Sequence, residues 1–372
     1  MDLSALVEMS NRYGEDEEFV LAGGGNTSYK ENGTLYVKGS GAQLSDIKSE
    51  QFVAMNINKL LKMVEQEFPA SMGNSEREEK ALADMMASRL PGEEKKRPSV
   101  ESVLHAMFPY KFVLHVHPPL INGLTCSVNG EAAFKELFGD KAVWVGLTKP
   151  GLVLAQTCNK IFNDYKENSG TYPQIVILQN HGIFVAADTV EEIDKLMEYV
   201  VGKLKSKVNK LPRFEVIPFR HDMDKLMAIT DSLKNLYTDD GTATALFCTN
   251  KDVLEFVSDE ESFRPISKPF TPDHIVNCKD EPLFIEPDAD IAAALAAYKA
   301  KKGYNPKIVA IRGMGFFAVS EEKRNAERAM SLFLDAMKIA TYAASFGGVN
   351  PLNDEFTDFI LNWEVEAYRS KA

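Results

Sequence analysis

Three of the six histidines in the chain occupy two short motifs whose spacing suits metal binding. His115 and His117 form an H-x-H pair on a predicted strand over residues 111–117. Side chains alternate along a strand, so both imidazoles face the same side of the sheet. His181 follows a second apolar segment and would supply a third nitrogen from a turn. Three imidazoles that leave one coordination position open are typical of a catalytic Zn²⁺. The pattern predicts such a site, against the alternative of three structural or surface histidines.

A carboxylate lies just upstream of this pair, on a predicted helix that begins near Ser99. Glu101 and His105 are four residues apart and share one helix face. A carboxylate beside an open metal site could act as a general base, its basicity tuned by burial and by the metal charge. Spacing alone favours a capping or surface Glu beside a packed His, so spacing by itself does not assign the base.

Two glycine-rich segments carry groups that could hold an anion. Residues 23–28 read Gly-Gly-Gly-Asn-Thr-Ser, and residues 38–41 read Lys-Gly-Ser-Gly. Glycine lets backbone N–H groups converge on an anion without steric cost, and the polar side chains add donors. Neither segment is a Walker loop or a strict dinucleotide fingerprint. Two ordinary turns at hairpin ends explain the same residues, and the segments alone leave both interpretations open.

Taken together, these motifs resemble those of the class II aldolase/adducin family, in the same order and at similar spacing, over about residues 1–215. The resemblance is carried by Gly24-Gly25-Asn26-Thr27-Ser28, Lys38-Gly39-Ser40-Gly41, Pro98-Ser99-x-Glu101, His115-x-His117-Pro118 and Asn180-His181-Gly182. Within the family, the chain is similar to aldolases that act on fuculose 1-phosphate and rhamnulose 1-phosphate. It is also similar to the aldolase half of bifunctional rhamnulose-1-phosphate aldolase/alcohol dehydrogenases, without the glycine pattern of their dehydrogenase half.

The resemblance implies a zinc-dependent lyase with a three-layer α/β/α fold and a central, mostly antiparallel sheet. Such an enzyme would cleave or form a ketose 1-phosphate from dihydroxyacetone phosphate and an aldehyde, through a metal-stabilised enediolate. Glu101 would transfer the proton. Zn²⁺, or another divalent metal, would be bound by His115, His117 and His181. The substrate phosphate would be held by Asn26, Ser28, Ser40, Gly41 and Ser99.

Two departures from the family pattern concern the phosphate site. Val100 stands where relatives often carry a second Ser, which removes one donor. The spacing from Glu101 to His115 is also shorter than in the compact aldolases. A tyrosine shares the proton transfer in relatives, and the candidates here are Tyr165, Tyr172 and Tyr199.

Other activities on the same fold remain as alternatives. An epimerase like those acting on ribulose 5-phosphate would use the same metal and retro-aldol step, but these relatives tend to carry Asp at the position of Glu101. Adducin-like interaction modules lose the metal histidines, all three of which are present here. A dehydratase or decarboxylase acting on an unphosphorylated substrate would be indicated by the loss of phosphate donors. Val100, which replaces a serine donor, is one such loss.

Periodicity and turn residues divide the chain into three parts. A catalytic domain spans 1–215, a proline-containing connecting region 216–282, and a smaller α/β domain 283–372. Helices are predicted over 3–13 and 49–66, and strands over 19–22 and 173–187. The segments that start at Pro173 and Pro306 are similar, with His181 matched by Met314. The C-terminal domain is therefore either a degenerate, non-metallated repeat or an unrelated strand–turn–helix unit.

Charge and composition exclude several classes of partner. The net charge is −12 and no sustained basic run occurs, which argues against binding to nucleic acid. No apolar run has transmembrane length, and the N-terminus lacks the features of a secretory leader. The four scattered cysteines are typical of reduced thiols, so we expect a cytoplasmic protein without a membrane partner. The resemblance implies a small phosphorylated sugar as substrate and a homo-oligomer, tetramers being frequent among relatives.

Overall fold

A computed structural model describes residues 2–69, 71–218 and 223–363. The chain divides into two compact units. Among the described residues, the first unit contains the chain up to Thr125 together with Gly130–Lys207, and the second contains Cys126–Asn129 and the residues from Val208 to Trp363. Among the described residues, no helix combines the length and the apolar composition that a membrane span requires.

Among its described residues, the first unit contains seven strands and eight α-helices. Its strands are β1 (Asn26–Glu31), β2 (Thr34–Lys38), β3 (Phe52–Asn56), β4 (Phe112–Val116), β5 (Val143–Val145), β6 (Ile175–Leu178) and β7 (Gly182–Ala187). Its helices are α1 (Ser4–Glu15), α2 (Ile57–Val64), α3 (Asn74–Ala87), α4 (Ser102–Met107), α5 (Pro119–Thr125), α6 (Gly130–Phe138), α7 (Leu152–Ser169) and α8 (Val190–Lys205).

The seven strands form one mixed sheet in the order β3-β2-β1-β4-β7-β6-β5. Every neighbouring pair is antiparallel except β5 and β6, which are parallel. Helices α2, α4 and α7 pack on one face of the sheet, whereas α1 and α8 pack on the other. The predicted α/β class with a mostly antiparallel sheet is therefore confirmed.

Strand β4 lies at the centre of this sheet and is buried along its whole length. Val113 contributes to the core beneath α4 and α7, and His115 and His117 follow it on the same side at intervals of two residues. The sequence of β4 is mostly apolar because the strand is central in the sheet. A strand that is covered on both faces has no solvent-facing side.

Two local predictions differ from the structure. The predicted strand over 19–22 is absent, and the polar residues Asn26, Thr27 and Ser28 form strand β1 instead of a turn. Tertiary contacts override the weak strand propensity of Asn26, and the polar group of each of the three residues has a buried partner. The range 49–66 contains β3 followed by α2, rather than one helix. Asn56 ends the strand and caps the helix by accepting a bond from the Lys59 backbone N–H.

The second unit contains four strands and seven helices among its described residues. Its strands are β8 (Thr244–Cys248), β9 (Leu283–Ile285), β10 (Ile308–Ile311) and β11 (Gly315–Ser320). Its helices are α9 (Met223–Tyr237), α10 (Lys251–Phe256), α11 (Glu260–Phe263), α12 (Pro272–Cys278), α13 (Ile291–Lys302), α14 (Lys323–Ala343) and α15 (Asp354–Leu361). The sheet order is β8-β11-β10-β9.

The structure departs from the predicted connecting region over 216–282. That range contains α9 to α12 and β8, and β8 is a strand of the second sheet. The prolines that suggested a linker are compatible with helices, because Pro272 occupies the first turn of α12, where its missing N–H has no partner to lose. The first unit also ends near Lys207, before the predicted boundary at residue 215.

Candidate metal centre

Strand β4 and the residue just beyond it carry two of the three predicted metal ligands. His115 pairs with Asn26 on β1 and with Phe184 on β7. Its imidazole is completely buried and stacks on the Phe184 ring, with the ring centroids 3.9 Å apart. The His117 ring lies on the same side, 4.7 Å from the His115 ring between centroids. The predicted alternation therefore brings both imidazoles together.

The third imidazole comes from the tight turn between β6 and β7. Asn180 adopts a left-handed backbone conformation with φ of 53°, and the His181 N–H donates to the Leu178 carbonyl at 3.3 Å. Asn tolerates this conformation better than most residues, which lets the chain reverse directly before His181. The ligand atoms of His115, His117 and His181 lie within 4.8 Å of one another, and they are the one set of three or more such groups found among the described residues.

The hydrogen bonds of His115 fit a metal ligand. Its Nδ1 lies 2.9 Å from the carbonyl oxygen of Ile183. A carbonyl only accepts, so Nδ1 carries the hydrogen and the Nε2 lone pair faces the other two imidazoles. Burial lowers the pKa of His115 well below its ordinary value, which keeps the ring in the neutral form that binds metals. The donor set therefore fits a divalent metal that accepts imidazole nitrogen.

Asn122, on α5, is a supporting residue that the sequence analysis missed. Its side-chain amide is buried and donates to the His181 carbonyl at 3.2 Å and to the His117 carbonyl at 3.5 Å. Its own side-chain oxygen accepts a bond from Thr125 Oγ1 at 2.9 Å. One amide thus joins the two segments that carry ligands. No local motif indicates this role, because the contact to His181 crosses fifty-nine residues of chain.

Glu101 lies beside this cluster, at the residue that precedes α4. Its Oε2 is 3.3 Å from His115 Nε2, and its Oε1 is 3.4 Å from His181 Nε2. The side chain is 8% exposed, and Oε1 accepts no hydrogen bond. Burial raises the pKa of Glu101, but the polar groups around it, among them the Asn26 amide that donates to Oε2, lower it by more, so that the pKa lies below its ordinary range. The carboxylate is therefore ionised next to the imidazole cluster.

Two of the five predicted phosphate ligands, Asn26 and Ser28, are hydrogen-bonded to other buried side chains. The Asn26 side-chain amide donates to Glu101 Oε2 at 2.7 Å, and its oxygen is hydrogen-bonded to His105 Nε2. Ser28 is fully buried, with its hydroxyl 2.7 Å from His105 Nδ1. Burial lowers the pKa of His105 to about 3, so this imidazole is neutral. Asn26 and Ser28 thus form part of the network behind Glu101.

The other three predicted phosphate ligands lie on two adjoining loops. The Ser40 N–H donates to the Arg97 carbonyl at 2.7 Å, and the Ser99 N–H donates to the Lys38 carbonyl at 3.0 Å. Gly41 is exposed, and its φ of 89° is left-handed. The Ser99 hydroxyl accepts a bond from the Glu101 N–H at 3.3 Å. The structure therefore brings Ser40, Gly41 and Ser99 together at the start of the segment that carries Glu101.

Lys38 stabilises the glycine-rich turn instead of presenting its charge to solvent. Its Nζ donates to the carbonyls of Gly23 and Gly25, at 3.0 and 2.9 Å. The side chain is 5% exposed. This ammonium group fixes the turn that leads into β1 and thus the position of Asn26 at the start of that strand.

The three tyrosines proposed as proton donors make their main contacts in other parts of the first unit. The Tyr165 hydroxyl donates to the Asp140 carbonyl at 3.0 Å. The Tyr172 ring lies beneath Lys166 Nζ, and the Tyr199 ring packs against Phe138.

Comparison with known proteins identifies a family for the first unit. Residues 4–205 match the family model described as Class II Aldolase and Adducin N-terminal domain. This match covers the sheet, the histidine cluster and Glu101.

Individual relatives are distant. The chain is 24% identical over 410 residues to a Bacillus subtilis protein named "Uncharacterized oxidoreductase YuxG"; the alignment covers 98% of the chain but only 57% of that protein. A solved N-terminal class II aldolase domain from Thermoplasma acidophilum is 27% identical, covering 55% of this chain and 93% of that one, with a TM-score of 0.46. L-fuculose-1-phosphate aldolase from Thermus thermophilus is 14% identical, covering 55% and 91%, with a TM-score of 0.35.

Proposed function

The chain belongs to the class II aldolase and adducin family, and from that premise we propose that it is a metal-dependent aldolase. The reaction is the reversible cleavage of a ketose 1-phosphate to dihydroxyacetone phosphate and an aldehyde. The substrate is a small phosphorylated sugar, and the metal is Zn²⁺ or another divalent ion.

The observation that carries this proposal is the placement of Glu101. Its carboxylate is buried within 3.4 Å of two imidazoles of the candidate metal site. An ionised carboxylate at this distance can remove a proton from a substrate carbon held at the metal.

Each group in the site has a separate task in this reaction. A divalent metal held by His115, His117 and His181 would act as a Lewis acid that stabilises negative charge on the substrate oxygens. Glu101 accepts the proton from the carbon that forms the new bond and returns it in the cleavage direction. Asn26 orients Glu101 through its hydrogen bond to Oε2.

The substrate phosphate is assigned to Ser40, Gly41 and Ser99. Support for this smaller set comes from the two adjoining loops, which bring the hydroxyls of Ser40 and Ser99 and the exposed Gly41 beside the Glu101 segment. Asn26 and Ser28 are left out because both side chains are already hydrogen-bonded within the buried network. The proposed phosphate site therefore depends on the two serine hydroxyls, because the backbone N–H groups of Ser40 and Ser99 already donate to carbonyls of the loops.

Phosphorus NMR can test the proposal without knowledge of the natural aldehyde. Dihydroxyacetone phosphate is incubated with the metal-loaded protein and a panel of short aldehydes, glycolaldehyde, lactaldehyde and glyceraldehyde among them. We expect a new ketose phosphate resonance to appear, and we expect that it does not form when chelator is present. Interconversion of pentulose 5-phosphates without aldol products would favour the epimerase alternative. If a protein that is shown to hold metal catalyses neither reaction, the proposal is contradicted.

A further inference from the structure

Four buried side chains behind the candidate metal site form one continuous line of hydrogen bonds. Ser28 Oγ lies 2.7 Å from His105 Nδ1, and His105 Nε2 is hydrogen-bonded to Asn26 Oδ1. Asn26 Nδ2 donates to Glu101 Oε2 at 2.7 Å. All four side chains are at least nine-tenths buried, so solvent does not compete for these bonds.

The direction of each bond follows from the donors and acceptors available. A carboxylate only accepts, so Asn26 points its NH₂ group at Glu101 and its oxygen at His105. The amide oxygen only accepts, so His105 carries its hydrogen on Nε2. Nδ1 of His105 is then an acceptor, and it receives the hydroxyl hydrogen of Ser28. The network thus allows one neutral tautomer of His105.

Packing fixes the same ring from its sides. The His105 imidazole meets Phe184 edge to face, with centroids 5.4 Å apart. Phe184 in turn stacks on His115. A rotation of the His105 ring would therefore break two hydrogen bonds and disturb the aromatic residue that supports a candidate metal ligand.

We infer that His105 is a positioning residue that holds Asn26 against Oε2 of Glu101 and so leaves Oε1 as the oxygen that exchanges protons with the substrate. This inference rests on the proposed aldolase function. In the enolisation step the substrate C–H bond breaks, its proton forms the O–H bond on Oε1, and its electron pair remains on the substrate. The reverse step returns that proton. Oε1 lacks the bond that Asn26 makes to Oε2 and lies 3.4 Å from His181 Nε2, beside the candidate metal site.

NMR of the zinc-loaded, ¹⁵N-histidine-labelled protein tests the network independently of activity. Two-bond and three-bond proton–nitrogen correlations distinguish the two neutral tautomers and the imidazolium. His105 is expected to show the Nε2–H tautomer throughout the pH range in which exposed imidazoles take up a proton. An Nδ1–H tautomer, or protonation together with the exposed rings, would overturn the inference.

Substitution provides the second test, with deuterium exchange into dihydroxyacetone phosphate as the assay. His105→Phe keeps an aromatic ring but removes both nitrogens, and it should lower kcat for exchange by about 10–100-fold, the range found for residues that support metal-site groups. KM should change much less, because the groups assigned to the phosphate are untouched. Ser28→Ala should lower kcat less, because it leaves the bond from His105 to Asn26.

The matched control is Ser10→Ala. Ser10 is also a buried serine bonded to β1, but its hydroxyl contacts Thr27, which points to the other face of the sheet. Its exchange rate should equal that of the wild type, and all variants should retain the wild-type metal content. Wild-type exchange in His105→Phe would overturn the inference. Absence of exchange in the wild type would contradict the proposed function instead, and the tautomer measurement would still decide the inference.

A second observation concerns the sheet of the other unit. Its strand order β8-β11-β10-β9 matches the order β4-β7-β6-β5 in the first unit, with the same succession of antiparallel, antiparallel and parallel pairs. The hairpin pairs Ile175 with Val185 and Leu178 with Gly182 in the first unit. The equivalent pairs in the second unit are Ile308 with Ala318 and Ile311 with Gly315. Each of these residues follows its counterpart in the first hairpin by the same number of positions along the chain.

The turns of the two hairpins agree in detail. Asn180 and Gly313 both have positive φ, of 53° and 66°. A Cβ atom added to Gly182 would lie 2.5 Å from the Val116 carbonyl oxygen, and one added to Gly315 would lie 2.5 Å from the Cys248 carbonyl oxygen. The same position in each hairpin therefore excludes a side chain for the same reason.

We propose that the half-sheet of the second unit is a repeat of the half-sheet that carries the candidate metal ligands, and that the repeat no longer binds metal. Phe247 pairs with Phe317 as His115 pairs with Phe184, which also places Thr249 at the position of His117. Met314 stands at the position of His181 and is buried in the core of the second unit, with Phe247 packed against that core. None of these side chains offers a nitrogen.

Metal stoichiometry tests this proposal by elemental analysis of the dialysed full chain. One metal per chain is expected for the wild type and for Met314→Ala, and none for His181→Ala. Two metals per wild-type chain would contradict the loss of binding. The triple variant Phe247→His, Thr249→His and Met314→His should gain a second metal. If it keeps the wild-type circular dichroism but binds only one, the equivalence of the two half-sheets is overturned.

Discussion

At the scale of residues, the chemistry of the site depends on which polar atoms are already engaged. Ser28 has the side chain that the phosphate motif requires, but its hydroxyl is bonded to His105. Lys38 has the charge to attract a phosphate, but its ammonium group is bonded to the carbonyls of Gly23 and Gly25. Residue type therefore identifies the possible donors, and burial decides which of them remain available to a substrate.

Replacement of Lys38 tests the structural role of its ammonium group. Lys38→Met keeps the length of the side chain but leaves the carbonyls of Gly23 and Gly25 without a charged donor, and should lower the free energy of unfolding by about 2–3 kcal/mol. Lys62→Met is the control, since Lys62 is exposed on α2 and should change stability by about 0.5 kcal/mol or less. Equal denaturation midpoints and slopes for both variants would contradict the assignment.

At the scale of elements, the site depends on the close approach of the turn before β7 to strand β4. Gly182 lies opposite β4 where a Cβ would come within 2.5 Å of the Val116 carbonyl oxygen and 2.6 Å of His117 Cδ2. Glycine is the residue that permits this approach, and the approach places His181 beside His117. Ligand geometry is therefore a property of how the two strands meet.

Gly182→Ala should separate these strands and displace His117. We expect the metal affinity to fall by about tenfold or more and the free energy of unfolding to fall by about 1–3 kcal/mol. Gly202→Ala is a matched control on α8, where an added Cβ meets nothing within 4 Å. That change should keep the wild-type metal affinity and raise stability by about 0.5–1 kcal/mol. A metal titration monitored by isothermal calorimetry distinguishes the two variants by their metal affinity.

Sequence patterns predicted the elements that depend on local periodicity and missed the contacts that depend on distant chain segments. Alternation on β4 correctly placed His115 and His117 on one face, and the helix predicted over 3–13 is observed as α1. The role of Asn122 requires a contact with His181 that no local pattern encodes. The prolines between 259 and 282 suggested a linker, because the sequence does not reveal that Pro272 starts a buried helix.

At the scale of the whole molecule, metal binding should couple to stability. A ligand that binds only the folded state, present at a free concentration one hundred times its Kd, adds about 2.7 kcal/mol to the free energy of unfolding. For a unit of this size that gain should raise Tm by about 5–10 °C. Thermal unfolding with Zn²⁺ and with chelator measures the shift. His181→Ala should unfold at the same temperature under both conditions, and a shift of wild-type size in that variant would place the metal elsewhere.

The central claim is that Glu101 enolises a substrate held at the three-histidine site, and proton exchange on dihydroxyacetone phosphate in D₂O tests it most directly. The zinc-loaded wild type should lose one C–H signal stereospecifically in the NMR spectrum, and chelator should stop the loss. Glu101→Gln should keep its metal and exchange about 10²–10⁴-fold more slowly. Exchange at the wild-type rate in Glu101→Gln, or no exchange in wild-type protein that holds zinc, would contradict the account.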